Sequence, residues 1–248
     1  MSTDPFFNYD DIADAYAAGV DSAPYNALYE RPAMLNLLPP LKGAQVLDAG
    51  CGSGWYASEL VTRGASVTAV DASPVMIEHA RQRFKPPFPA DLARLVEIRL
   101  TDLTQPLSFA FDASFDGIVS SLVLHYLREW GPTLQEFRRI LKPNGWLVFS
   151  THHPAAEAIR LATPQYLDLE PVDDYWKWVG NVRYYRRPLS AIVEALRGAG
   201  LGIERLVEPL PTDEFRKMKP DSYERLLKQP EFLLIRARPW HLELKRQR

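Results

Sequence analysis

Between residues 44 and 151 short apolar runs alternate with amphipathic segments, and no other feature constrains the fold as strongly. The order is AQVLDAG, WYASELVTRG, SVTAVD, SPVMIEHARQRF, LVEIRLTD, FDGIVSSL, TLQEFRRILKPNG and WLVFST. Strands that are apolar throughout must be covered on both faces, and a helix between successive strands returns the chain to pair in parallel. The pattern therefore predicts an α/β fold with a parallel sheet between helices. Its punctuation agrees: Ser73 with Pro74 is a helix cap followed by a first-turn proline, and Gly64 and Gly145 stand where helices must stop.

Residues 1–40 hold six acids and Arg31 as their single base. With Phe6, Phe7, Tyr9, Tyr16, Tyr25 and Tyr29 among helix-compatible residues, this segment reads as a helical cap on the core at 41–151. From His152 to Arg187 the alternation breaks, in a stretch containing Tyr166, Tyr175, Trp176, Trp178, Tyr184 and Tyr185. A structureless loop of that length is either functional or wrongly parsed, so 152–187 is expected to be an aromatic insert or lid. In 188–248 PLSAIVEALRGAGL is a helix, and GIERLVEPL and FLLIRARPW, separated by a polar interval, are closing strands. The whole chain, 1–248, reads as a single domain.

Composition excludes several classes. With 46% hydrophobic and 24% charged residues the chain can bury a full core, and 29 bases against 31 acids leave no field to draw it onto nucleic acid or anionic lipid. One cysteine, Cys51, precludes an internal disulfide, the N-terminus is acidic where a secretory signal would be basic, and no run approaches the roughly 20 apolar residues of a membrane helix. A cytoplasmic protein without membrane insertion or nucleic-acid partner is expected, its partner a small molecule, with a homodimer left open.

Chemistry concentrates in VLDAGCGSGWYASEL, residues 46–60, a strand entering a glycine turn and then a helix. Gly50, Gly52 and Gly54 allow close backbone approach to a ligand, and the following helix start presents unpaired N–H groups. Twenty-one residues after Gly50, Asp71 ends the next strand, where a carboxylate can accept both hydroxyls of a ribose. A dinucleotide site wants a further glycine at position 55, which is Trp here, and Asp48 would repel a pyrophosphate while attracting a cationic amino-acid group. These details favour S-adenosylmethionine over NAD.

VLDAGCGSG, VDAS, LTDL, FDGIVSSLVLHYL and LKPNGWLVFS resemble the class I S-adenosylmethionine-dependent methyltransferases, especially the small-molecule branch that includes quinone-biosynthesis methyltransferases. The resemblance is strong over 44–151 and weaker from YYRRPLSAIVEALRGAGL to FLLIRARPW. It implies a Rossmann-like three-layer sandwich with a mostly parallel seven-stranded sheet, an antiparallel last strand, and the cofactor across the carboxyl ends of the first four strands. Carried over, Gly50, Cys51 and Gly52 would line the methionine part, beside Asp48. Asp71 would serve the ribose and Asp102 and Leu103 the adenine, with Ala72 and Met76 as further cofactor-binding residues. Ser120 or Ser121 would pass beneath the sulfonium, while Tyr16, Tyr29 and Arg31 would close over the cofactor from the cap. The product would be S-adenosylhomocysteine.

His152 and His153 follow WLVFST directly and so lie at the carboxyl end of a strand beside that crevice. Neighbours in extended chain point to opposite sides, so one of them faces the pocket, where an imidazole suits general-base work or forms the pocket wall. His153 is slightly favoured, because HP followed later by YRRP resembles a motif of some relatives. His125 stands beside the cofactor or begins the next helix. Tyr25, Tyr175, Trp176 and Tyr184 can enclose an apolar or aromatic acceptor, and Arg187 suits an acidic one. Adjacent histidines rarely chelate one ion together, so no metal is expected.

SSLVLHY contains neither Asn-Pro-Pro-Tyr nor an acidic pair, which disfavours amide and protein-arginine methylation. Oxygen, carbon or amine methylation of a small metabolite by direct displacement remains. The same site would also serve a protein that binds this cofactor for another reaction, such as a cyclisation, or as a binding module.

Overall fold

The computed structural model describes residues 10–163, 165–176 and 179–240. Its strands are β1 (Gln45–Ala49), β2 (Ser66–Asp71), β3 (Val96–Leu100), β4 (Phe115–Ser121), β5 (Leu141–His152), β6 (Glu170–Trp176), β7 (Gly180–Arg186), β8 (Leu201–Val207) and β9 (Phe232–Pro239). The helices are α1 (Asp10–Val20), α2 (Arg31–Leu37), α3 (Trp55–Thr62), α4 (Pro74–Arg83), α5 (Ala90–Ala93), α6 (Gly131–Ile140), α7 (Pro154–Arg160), α8 (Leu189–Gly198), α9 (Asp213–Met218) and α10 (Pro220–Leu226). A π-helical turn, Asn26–Glu30, runs directly into α2, and a 3₁₀ turn, Leu124–Tyr126, follows β4.

Among the described residues seven strands make one sheet in the order β3-β2-β1-β4-β5-β9-β8. β1 to β5 pair in parallel, and β9 runs antiparallel to both β5 and β8, as expected of the last strand. The period of two sorts side chains onto the two faces. Leu47, Ile118 and Leu147 enter one core with Leu134 and Phe137 of α6 and Ile192 and Leu196 of α8. Val46, Val119 and Val148 enter the other with Leu37 of α2, Leu60 of α3 and Ile77 of α4. Each such side chain contributes on the order of 1.5–3 kcal/mol by leaving water. Among the described residues no helix is long and apolar enough to cross a membrane.

Because β1, β2, β4 and β5 are parallel, Ala49, Asp71, Ser121 and His152 end at the same edge of the sheet. Two elements close over that edge. Helix α1 crosses α4, where Ser73 donates to Asp10 and His79 Nε2 lies 2.7 Å from Asp14. Behind β5 the stretch expected to be an aromatic insert contains α7 and an antiparallel hairpin, β6 with β7, paired from Glu170 with Arg186 to Trp176 with Gly180. Its inner face, Val172, Val182 and Tyr184, packs with Val179 and with Ile12 of α1, and Tyr16 and Trp176 lie against that cluster. The polar interval before the last strand is not a loop; it folds into α9 and α10. Phe6, Phe7, Tyr9 and Trp178 lie outside the described residues.

Gly117 of β4 lies under the Trp146 ring, and a Cβ there would sit 2.1 Å from it. Gly117→Ala is expected to destabilise the protein by about 1–3 kcal/mol through overpacking. A lower denaturation midpoint in urea checks this; an unshifted one would show that the ring has room to move.

Candidate active site

The turn after β1 is held by three left-handed glycines, Gly50, Gly52 and Gly54, at φ +80°, +52° and +79°. They do different work. A Cβ on Gly50 would meet the Val123 side chain at 2.3 Å, and one on Gly54 would press on Ala80 of α4 and on Phe84 just after that helix at 3.3 Å. A Cβ on Gly52 would meet nothing within 4 Å, so Gly52 alone of the three borders open space. The N–H groups of Gly50 and Cys51 both donate to the Val70 carbonyl at 2.8 Å. Packing thus excludes a side chain at Gly50, and the Cys51 thiol is buried with its pKa pushed well up by burial.

Around this turn the structure gathers carboxylates. Asp71 accepts from Gly52 N–H at 2.8 Å and from Ser73 N–H at 2.9 Å, which fixes the turn to the end of β2. Asp48 is 1% exposed and its Oδ2 has no hydrogen-bond partner. Burial, with the nearby charge of Asp71, pushes its pKa up to about 7 against the pull of the Ala57 N–H. The sequence reading missed Glu30, which is fully buried and accepts from Tyr56 Oη and Ser121 Oγ at 2.8 Å and from Ser150 Oγ at 2.6 Å. No local pattern marks it, since its partners stand 26, 91 and 120 residues away.

Beside Glu30 in the chain, Arg31 stacks its guanidinium on Trp55 at 4.0 Å and bonds the Asp21 carbonyl at 3.1 Å, so position 55 carries a platform for a cation where a dinucleotide site would carry glycine. Tyr16 hydrogen-bonds Asn26 within the fields of Arg31, Glu30 and Asp71, and burial raises its pKa to about 12. Ala72 is exposed just beyond Asp71, and Met76 is buried with its N–H held by Ser73 Oγ. Asp102 accepts from Thr104 N–H at 2.8 Å, and the Leu103 side chain is part of the core.

Further along the edge stands an aromatic cluster. His152 and His125 stack with ring centroids 4.2 Å apart, Tyr184 lies edge-on to His152 at 4.6 Å, and Trp176 is 6.1 Å away. His152 Nδ1 is 3.8 Å from Glu157 Oε1, and Glu157 also accepts from Tyr184 Oη at 2.7 Å and pairs with Arg160 at 3.2 Å. Burial would raise the Glu157 pKa, but His152, the Tyr184 hydroxyl and Arg160 hold it down at about 2. Glu157 and Arg160 were also missed, although His-Pro followed by an acid is a helix-start signal.

Several expected site residues lie elsewhere. His153 is not the pocket histidine: it caps α7, its Nδ1 accepting from Ala155 N–H at 3.2 Å, while its Nε2 lies 2.8 Å from Glu208. Ser120 stitches β4 to β1 by donating to the Ala49 carbonyl at 2.9 Å, which leaves Ser121 as the serine turned toward the cap. Tyr29 is a core residue, stacked on Phe232 at 5.4 Å and accepting from Glu231 N–H. Tyr25 meets Phe215 edge-on and Arg225 at 2.9 Å, on the side of α9 and α10. Tyr175 points to solvent. Among the described residues no three His, Cys, Asp or Glu side chains are placed to hold a metal ion.

The family model described as a methyltransferase domain matches residues 47–149. A crystal structure of an S-adenosylmethionine dependent methyltransferase from Mesorhizobium loti superposes with a TM-score of 0.71 at 30% identity, covering 89% of this chain and 100% of that one. Malonyl-[acyl-carrier protein] O-methyltransferase of Erwinia pyrifoliae is 34% identical over 56% of this chain and 50% of its own length. Ubiquinone biosynthesis O-methyltransferase of Paracidovorax citrulli is 32% identical over 50% of each. These two matches span half the length of those relatives.

The residues present fit such a ligand. An orphaned, buried Asp48 oxygen and the second carboxylate of Asp71 suit a molecule bearing ammonium and sulfonium cations, and Gly52 leaves the approach open. A bound cation draws the Asp48 proton off. Calorimetry at pH about 6, in buffers of different ionisation heat, is therefore expected to show release of a proton on S-adenosylhomocysteine binding. Above pH about 8, where Asp48 is already ionised, the release fades, and Asp48→Asn abolishes it. Equal heats in all buffers would refute the assignment.

Proposed function

Since this chain belongs to the class I S-adenosylmethionine-dependent methyltransferases, we propose that it methylates a small acceptor with an apolar or aromatic body, at oxygen, by direct displacement. The observation that carries this reading is the aromatic cluster of His152, Trp176 and Tyr184 at the end of β5, on the same sheet edge as the glycine turn and packed against α1 and the hairpin. Both named relatives act as O-methyltransferases, which supports oxygen over carbon or nitrogen.

Asp48, Gly52, Asp71 and, from the cap, Tyr16 and Arg31 would hold the cofactor. When bound, it supplies a methyl carbon made electrophilic by the adjoining sulfonium. The chain's part is then positioning and proton handling. Trp176, partly buried over the packed Tyr184, would present an apolar face that excludes water and aligns an acceptor, and alignment supplies most of the rate in a displacement. For a hydroxyl acceptor His152 takes the proton, and Glu157, held ionised, stabilises the imidazolium that results.

Calorimetry with S-adenosylmethionine, S-adenosylhomocysteine and NAD is expected to show binding of the first two alone. Screening phenolic and hydroxy-acid acceptors should then yield S-adenosylhomocysteine. His152→Gln is expected to lower kcat for hydroxyl acceptors by roughly 10²-fold or more with S-adenosylhomocysteine affinity unchanged. Undiminished kcat would remove His152 as the base.

A further inference from the structure

Behind the stacked histidines lies a void of about 10 Å³, the room one water needs, lined by His125, Thr151, His152, Glu157, Arg186 and Arg187. Two of these linings are already satisfied: Arg186 binds Glu170 and the carbonyls of Gln165, Tyr166 and Asp168, and Glu157 is engaged by Tyr184 and Arg160. The others are not. His125 is 2% exposed and neither of its ring nitrogens has a hydrogen-bond partner; His152 Nδ1 and Arg187 Nε are likewise buried without one.

Arg187 is the most unusual of them. It is 7% exposed, lies over the Trp130 ring at 4.2 Å and donates through one terminal nitrogen to the Leu127 carbonyl at 2.5 Å. Among the described residues no carboxylate stands within ion-pair distance of it. Burial lowers its pKa to about 10, against the more distant charge of Glu129. His125, buried between His152 and Arg187, is held neutral, its pKa pushed well down. It offers one N–H without adding charge.

Resting on the reading above, we infer that this void is an anchoring subsite for a carboxylate group of the acceptor, bound by Arg187 with His125 as second donor. One guanidinium and a neutral imidazole match a single negative charge, where a phosphate dianion would call for more cations. The void has room for one carboxylate oxygen in the place of one water, and the body of the ligand would lie outside it. Val123, two residues before His125, packs on Gly50, so the segment that carries His125 touches the glycine turn. The acceptor class that follows is an aromatic or apolar acid.

Benzoate and benzamide have the same shape and differ in charge, which makes them the probes. Both are titrated into the wild-type protein saturated with S-adenosylhomocysteine, following the ring-proton resonances of His125 and His152. Benzoate is expected to shift both and to bind at least about tenfold more tightly than benzamide, the factor expected of a charge-assisted bond. Arg187→Gln should erase that preference and Arg187→Lys retain part of it; if the glutamine variant fails to fold, His125→Asn, expected to weaken benzoate severalfold, takes its place. Equal affinity for the two probes, a preference that survives in the variant, or resonances that do not move would overturn the proposal and leave a void holding a structural water only. Calorimetry of S-adenosylhomocysteine in the same samples reports on the methyltransferase reading by itself, so the two can fail separately.

Discussion

The carboxylate of Glu30 joins four parts of this molecule at one point. It comes from the π-helical turn of the cap and receives hydroxyl groups from α3 through Tyr56, from the end of β4 through Ser121 and from β5 through Ser150. Removing a carboxylate from water costs several kcal/mol unless other donors replace the lost hydration, and three hydroxyls do so here. Burial still raises its pKa. The position of the cap over the sheet edge follows from this bond set, because Arg31, the next residue, can reach Trp55 at the start of α3 only where Glu30 is seated.

Charge is sorted along that edge although the chain as a whole carries a net charge of -2. Glu30, Asp48 and Asp71 lie around the glycine turn, and burial raises the pKa of each. Arg187 and the two stacked histidines lie beyond it, behind the hairpin. Glu157, which also lines that side, is held ionised between His152, Tyr184 and Arg160.

The central sheet was legible because short apolar runs such as VL in β1, AV in β2, IV in β4 and WLVF in β5 recur between amphipathic segments punctuated by glycine and proline. Asp48, Gly52 and Asp71 could be located for the same reason, since a strand end fixes where its last side chains stand. What the residues do beyond that depends on distant partners. Tyr25 and Tyr29 read the same whether they cover a ligand or pack a core, and Phe215 and Phe232, near the far end of the chain, decide in favour of the core. The choice between His152 and His153 was decidable locally: Pro154 at the first helical position makes His153 the cap, which leaves His152 to face inward. Glu30 had no such signal. The hairpin was hidden because its strands alternate weakly and pair only with each other.

That last property has an evolutionary side. β6 and β7 share no ladder with the seven-stranded sheet and meet the rest of the molecule through side chains of α1, α7 and the turn after β4. A lineage can therefore lengthen, shorten or rewrite residues 165–186 without breaking a hydrogen bond of the main sheet. The Glu30 anchor and the glycine turn would remain constant while the aromatic cluster changed. Divergence among proteins built this way should be read separately for the two regions, slow in one and rapid in the other.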